Sequence, residues 1–402
     1  MDELLLTAGR VLPDPCGEIL TDGAVHVRTG TIAAVGPREE VELRTPPELP
    51  TLSFPDATVL PGLIDAHVHL AFDAGPDPVT VLGEADDEEL LSAMTDRAQQ
   101  LLRSGVTTVR DLGDRNGLAA RLRNRIMRQA VAGPRILTAT TPLTRPGGHC
   151  WFLGGEVAGP ESIRALVRRN AGSGADVIKV MVTGGGLTRG GPAVWKSQFT
   201  VEELRLVVAE ARRFGLPVAA HAHGTEGIAA AVAAGVDTIE HCTWMAEGGG
   251  FDLRDEVAAD IVAGGIWVCP ATHPNWRALT GRVGAERAEE MFSSLRWMVQ
   301  QGVPVIAGTD AGVPRAAFGG LVDSLEFFAH LGMPLERVIT MATTDAARAL
   351  GIGTRTGLIR EGYRADLLVV TGNPLDSLDA LRRVRLVLAD GRPFPRRSMA
   401  GT

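Results

Sequence analysis

Lysine is almost missing from this 402-residue chain: of its 40 basic residues, only Lys179 and Lys196 are not arginine. Tyrosine occurs once, at Tyr363, and aromatic residues make up 4% of the whole. Positive charge is not in excess, because 48 acidic residues leave a formal net charge of −8. A surface that neutralises a phosphate backbone needs the opposite balance, so no nucleic-acid partner is expected. Cysteine is sparse too: Cys16, Cys150, Cys242 and Cys269 are widely spaced and form no CxxC pair. In a chain this long they read as reduced, mostly buried thiols and not as a disulfide framework. The opening run MDELLLTAGRVL is acidic and interrupted by Gly9 and Arg10. It is expected to be neither a signal peptide nor a membrane span, which predicts a cytoplasmic protein without a membrane partner. The remaining composition, 45% hydrophobic and 22% charged, is that of a folded globular chain.

The two ends resemble each other and differ from the middle. Residues 1–58 read as short strands and turns, with AVHVR and TIAAVG separated by Thr29-Gly30 in the manner of a hairpin. Residues 354–402 repeat that character in LLVV and VRLVLADGRPF. A small β-sandwich built from both ends is expected. Residues 59–353 alternate short apolar runs with longer amphipathic ones. The strand candidates are LIDAHVH (63–69), TTVRDLG (107–113), PRILTAT (134–140), DVIKVMV (176–182), PVAAHAH (217–223), DTIEHCT (237–243), WVCPATH (267–273) and VPVIAGTD (303–310). Helical patterns such as DEELLSAMTDRAQQLLRSG and VEELRLVVAEARRFG lie between them, several closing on glycine. Eight strand-then-helix units over this length predict an α/β fold of the TIM-barrel type. A doubly wound open sheet would call for a glycine-rich phosphate turn after the first strand; VTGGGLTRGG (182–191) has neither GxGxxG spacing nor a Walker lysine.

Catalytic groups of such a barrel sit at the carboxyl ends of its strands. Those ends carry His67 and His69, Lys179, His221, His241 and Asp310. His67 and His69 are two apart on a strand, so both point to one face, where two imidazoles can chelate a divalent ion. Lys179 sits between Ile178 and Val180 in an apolar run, where burial lowers an amine toward neutrality. A neutral amine takes up CO₂ to form a carbamate, an anion able to bridge two metals, whereas a guanidinium does not deprotonate. A salt bridge within the barrel and a Schiff base are the other readings of this lysine. His149 in RPGGHCW and His223 lie beside these ends as candidate substrate contacts or orienting groups, and Asp65 and Asp111 as supports for the ligands. Trp151, Trp195 and Trp244 could wall a pocket or simply pack, and Lys196 is expected to be exposed.

The ordered set VLPGLIDAHVHL, IKVMVTGGG, VAAHAHG, TIEHC and AGTDAG resembles the amidohydrolase superfamily. It is most similar to the branch with two metals bridged by a carboxylated lysine, among the imidazolonepropionase-like and prolidase-like dipeptidases. The resemblance spans nearly the whole chain. It implies that His67, His69, Asp310 and the Lys179 carbamate hold one divalent ion, and that His221, His241 and the same carbamate hold a second, with zinc as the expected metal. It further implies a small-molecule substrate and an assembly of like chains. Two cations bring a bridging water's pKa from 15.7 to about 7, giving hydroxide at neutral pH. Asp310 would take its proton and return it to the departing nitrogen. The expected reaction is cleavage of the amide of a dipeptide or N-acyl amino acid, with Arg145, Arg189 or Arg315 on the following loops as a clamp for the substrate carboxylate. A lactonase, esterase or phosphotriesterase could use the same two-metal site. A mononuclear deaminase or imidazolone-type hydrolase lacks the bridging lysine, and Glu226 in HAHGTE stands too far from His221 for the deaminase pattern. A non-catalytic scaffold would be expected to have lost ligands, and all six are present.

Overall fold

The Thr29-Gly30 hairpin forms. In the computed structural model of the chain, which describes residues 3–394, β1 (Glu3–Val11), β2 (Leu20–Arg28) and β3 (Thr31–Pro37) make an antiparallel meander. Thr29 (φ 48°) and Gly30 (φ 78°) are both left-handed, as a tight turn between right-twisted strands requires. β4 (Thr51–Pro61) lies parallel to β1 and runs on past residue 58 to Pro61, so the end-built sheet passes directly into the central segment.

The central strands are parallel. β5 (Leu63–Val68), β6 (Val106–Asp111) and β7 (Arg135–Thr138) form one sheet; β8 (Ile178–Met181), β9 (Val218–Gly224), β10 (Thr238–Met245) and β11 (Trp267–Cys269) form another. Every residue of β5, β6 and β8 is buried, as expected for strands covered on both faces. Beyond the end of β7, Leu143 bonds to β8, its N–H donating to Lys179 O (2.8 Å) and its carbonyl accepting from Met181 N (2.8 Å), and Asp176 N just before β8 donates to Thr138 O of β7 (2.8 Å).

The run expected to be the eighth strand, VPVIAGTD, is not continuous. It is reduced to isolated bridges, Val305 with Val268 and Ala311 with Val68. Pro304 has no N–H to donate, and Gly308 is packed so tightly that a Cβ there would lie 2.6 Å from Cys269 Sγ and 2.8 Å from His67 Cβ. The segment still bonds to both neighbours. Ile306 N donates to Val268 O (2.9 Å), Ala66 N to Ala307 O (3.0 Å) and Asp310 N to His67 O (2.9 Å).

Helices separate the central strands. The helix Asp87–Arg103 starts on a capping box, the Asp86 side chain accepting from Glu89 N and the Glu89 side chain from Asp86 N. It buries Leu90, Leu91, Met94, Ala98, Leu101 and Leu102, the stripe of an amphipathic helix. Thr200 and Glu203 cap the helix Val201–Arg212 in the same way. Truncating one such buried leucine to alanine costs about 2–5 kcal/mol.

The C-terminal strands return to the first sheet. β12 (Leu367–Thr371) pairs with β4, β13 (Val384–Ala389) with β12, and β14 (Arg392–Phe394) with β13. The result is a seven-stranded sheet ordered β14-β13-β12-β4-β1-β2-β3. Residues 395–402 of the expected C-terminal segment lie outside the described residues. No helix among the described residues is long and apolar enough to cross a membrane.

Candidate metal centre

The carboxyl end of β5 delivers His67 and His69 to one side, and the segment after Gly308 brings Asp310 against them. Asp310 Oδ1 lies 3.3 Å from His67 Nε2 and 3.4 Å from His69 Nε2. It has no hydrogen-bond partner, although it is buried. Asp310 adopts φ 57°, an uncommon conformation for a non-glycine residue that persists only where its surroundings enforce it. Asp65 is one enforcer. Its Oδ1 accepts from His67 N (3.3 Å) and Thr309 N (3.1 Å), and its Oδ2 from the Thr309 hydroxyl (2.7 Å). Burial pushes Asp65 up to about 7. Asp111 similarly accepts from Leu70 N (2.8 Å) and Gly113 N (3.1 Å), fixing the backbone beyond His69. Neither carboxylate falls in a group of candidate ligands, in keeping with supporting roles.

β9 and β10 supply a second group. Ligand atoms of His221, His223 and His241 lie within 4.8 Å of one another. Their ring centroids stand 4.7 Å (His221–His223), 4.7 Å (His221–His241) and 4.5 Å (His223–His241) apart. His241 also has positive φ (67°), where β10 slips register against β9. His67 lies 5.1 Å from His241 by ring centroids, so the two groups are neighbours. His149 packs its ring 4.6 Å from His221 and bonds Thr188 Oγ1 (3.0 Å) through Nδ1.

Burial sets the protonation of this ring of imidazoles. It lowers His67 and His223 to about 4 and His149 to about 3, and it holds His221 and His241 well below the ordinary range. All five are therefore neutral near pH 7, the form that offers a lone pair to a metal. Burial works against the Asp310 carboxylate, yet His67, His69 and Lys179 together hold it well below the usual carboxylate range.

Lys179, on β8, is 1% exposed. Its Nζ has no hydrogen-bond partner, and no carboxylate of the described residues lies within ion-pair distance. The salt-bridge reading of this lysine is therefore not met. Burial lowers the amine from 10.5 to about 8, with Glu240 opposing the fall. Its positive charge is a lesser cause, after burial, of the lowering at His67, His149, His221, His223 and His241.

Two residues at the site escaped the sequence reading, Glu240 and Arg110, both fully enclosed behind His67. Arg110 Nη2 donates to Glu240 Oε1 (2.8 Å), and His67 Nδ1 bonds Glu240 Oε2 (2.8 Å). Cys269 lies beside this pair, but burial pushes its thiol well above the ordinary value, which disfavours the thiolate a metal requires. A signal was available: an arginine inside the apolar strand TTVRDLG, and a glutamate two residues from Thr238 on one strand face.

The remaining expected residues lie farther out. Arg145 spends its guanidinium on Glu203 (2.9 Å) and the Phe199 ring. Arg189 is largely exposed, 3.7 Å from Asp77, and Arg315 is exposed. Trp244 is fully buried against Trp297, so it packs and does not wall a pocket. Trp151 is 47% exposed, and Lys196 is exposed as expected. A cavity of about 890 Å³ lies at the opposite strand ends, lined by Thr107, Arg135 and Asp176 among others, and contains none of the histidines.

Residues 58–393 match the profile of the amidohydrolase family. Ochratoxinase of Aspergillus niger is 29% identical over 419 residues, covering 95% of this chain and 84% of the relative. An imidazolonepropionase of a Shewanella species is 24% identical, covering 91% of this chain and 90% of its own. The crystal structure of a Xaa-Pro dipeptidase with methionine bound in its active site superposes with a TM-score of 0.86 at 30% identity, covering 98% of this chain and 99% of that one.

Proposed function

Because the chain belongs to the amidohydrolase family and is a hydrolase acting on carbon–nitrogen bonds, we propose that it cleaves the amide of a dipeptide or N-acyl amino acid at a centre for two divalent ions. The observation that carries this reading is the unpartnered, fully buried Lys179 amine together with two neighbouring groups of ligand-type side chains, His67, His69 and Asp310, and His221, His223 and His241. In this reading residues 59–353 form a (β/α)₈ barrel, closed by the bonds of Thr138 and Leu143 to the β8 segment and of residues 305–311 between β11 and β5. The described parts of the two end segments, residues 3–58 and 354–394, form the accompanying β-sandwich around the seven-stranded sheet.

The donor set fits such ions: neutral imidazoles, a bare carboxylate oxygen on Asp310, and an amine lacking a partner. His67, His69 and Asp310 would hold one ion, and His221 and His241 the other, with His223 alongside them. Lys179 would add its neutral amine to CO₂, forming an N–C bond as one C=O π bond opens and one N–H proton is released, and the resulting carbamate anion would help hold the ions. Zinc suits these ligands. Divalent ions supply Lewis acidity toward the substrate carbonyl and toward water.

The chain's own groups do the rest. Asp310, ionised near neutrality, accepts the proton of the attacking water at its carboxylate and delivers it to the leaving nitrogen. His149, fixed by Thr188, stands next to His221, where it can donate to the substrate carbonyl. Of the three arginines expected as a clamp, Arg145 is paired to Glu203, whereas Arg189 and Arg315 are exposed and could meet a substrate carboxylate.

The test is a panel of dipeptides, N-acyl amino acids and lactones, assayed with zinc-loaded protein. Faster turnover of amides than of lactones is expected, and the reverse preference overturns the amide assignment in favour of a lactonase.

A further inference from the structure

Behind His67 lies a chain of groups that the proposed chemistry does not use. Glu240 is fully buried and Arg110 is 3% exposed. Arg110 donates from Nε to Ala66 O (2.8 Å), from Nη1 to Thr238 Oγ1 (3.0 Å) and from Nη2 to Glu240 Oε1 (2.8 Å). Thr238 then donates its own hydroxyl hydrogen to Glu240 Oε1 (2.6 Å). Glu240 Oε1 thus receives two donors, and Oε2 is left facing His67 Nδ1 at 2.8 Å. An enclosed carboxylate paired to a guanidinium is a pure acceptor. It can be satisfied by His67 only if Nδ1 carries the hydrogen, which leaves the lone pair on Nε2, the atom that faces Asp310.

We propose that Glu240, held by Arg110 and Thr238, is a positioning residue that fixes the tautomer and ring orientation of His67, so that Nε2 is presented to a divalent ion. The assignment rests on the metal-centre reading above. Glu240 is not itself a ligand, because both of its oxygens are already engaged. Carboxylate partners of this kind hold ligating imidazoles in place, and losing one weakens metal binding roughly 10–100-fold.

Glu240→Gln makes the idea specific. The position of Oε1 receives donors from Arg110 and Thr238, so the glutamine must place its carbonyl there. Its amide NH₂ then faces His67 Nδ1 and requires an acceptor. The His67 hydrogen is driven to Nε2, and the lone pair leaves the ligand position. A role limited to packing would lower stability without moving that hydrogen.

The experiment is long-range ¹H–¹⁵N correlation NMR of His67 in the full chain, metal-free and zinc-loaded, together with zinc titration of wild type and Glu240→Gln. Expected are an Nδ1–H on wild-type His67 in both states, and an Nε2–H in the metal-free variant with one zinc ion bound at least tenfold more weakly. A wild-type Nε2–H in the metal-free chain overturns the inference and needs no variant, so it decides the matter even if Glu240→Gln does not fold. Retention of both zinc ions at wild-type affinity by a folded variant also overturns it. A wild-type chain that takes up no divalent ion overturns the metal-centre reading, and this inference with it.

Discussion

Replacing Lys179 by methionine should stabilise the metal-free protein while abolishing its function. Methionine fills nearly the same volume without an amine, so little cavity is created. The wild-type amine is buried, unpartnered, and lowered from 10.5 to about 8. A shift of that size corresponds to about 3 kcal/mol of penalty on the charged form, as an order of magnitude. The pH dependence follows from linkage. Below pH 8 both folded and unfolded chains carry the charge, and the folded one bears the whole penalty. Between 8 and 10.5 the unfolded chain binds more protons than the folded one, so wild-type stability rises with pH and the penalty fades. Calorimetry of metal-stripped, CO₂-free proteins should therefore find Lys179→Met melting above wild type at pH 7, with the gap closing toward pH 10. A wild-type protein more stable than the variant at pH 7, or a gap that does not change with pH, would mean that the amine has a partner and that its isolation is wrongly described.

Other outcomes follow from the same geometry. Asp310→Asn should keep the fold and most of the bound metal but lose about 10²–10⁴-fold in turnover, because the amide cannot carry a proton; steady-state kinetics showing less than roughly a tenfold loss would leave Asp310 a ligand only. Lys179→Ala should lose metal and activity together, and added acetate or propionate should restore part of both by supplying two oxygens in the vacated space. Lys179→Arg should not be rescued, and an active arginine variant would remove the carbamate from the account. Free-acid substrates should be cleaved faster than their amidated counterparts, with Arg189→Ala or Arg315→Ala raising KM; equal rates for acids and amides, with both variants like wild type, would exclude a carboxylate clamp.

What the sequence disclosed was what repeats or alternates. Apolar runs separated by amphipathic ones located seven of the central strands, and turn residues such as Thr29-Gly30 located the hairpin. The eighth run was harder to judge, because hydropathy does not register how Pro304 and a tightly packed Gly308 break a ladder while the backbone still bonds on both sides. The ligand-type residues were legible because histidines seldom gather at strand ends without a reason, and Lys179 because it is a lysine in a chain of arginines. The fellowship of His223 with His221 and His241 depends on how β10 slips past β9 at a left-handed His241, which strand spacing cannot convey. Arg110 and Glu240 lie 130 residues apart in sequence, and only the fold shows that each is buried against the other.

The central claim is that two divalent ions share one site through Lys179. Elemental analysis of the full chain, purified with added zinc and freed of loosely bound metal, tests it most directly. Close to two ions per chain are expected in wild type, with a collapse of that content in Lys179→Ala. One ion per chain in wild type, unchanged in Lys179→Ala, would contradict it.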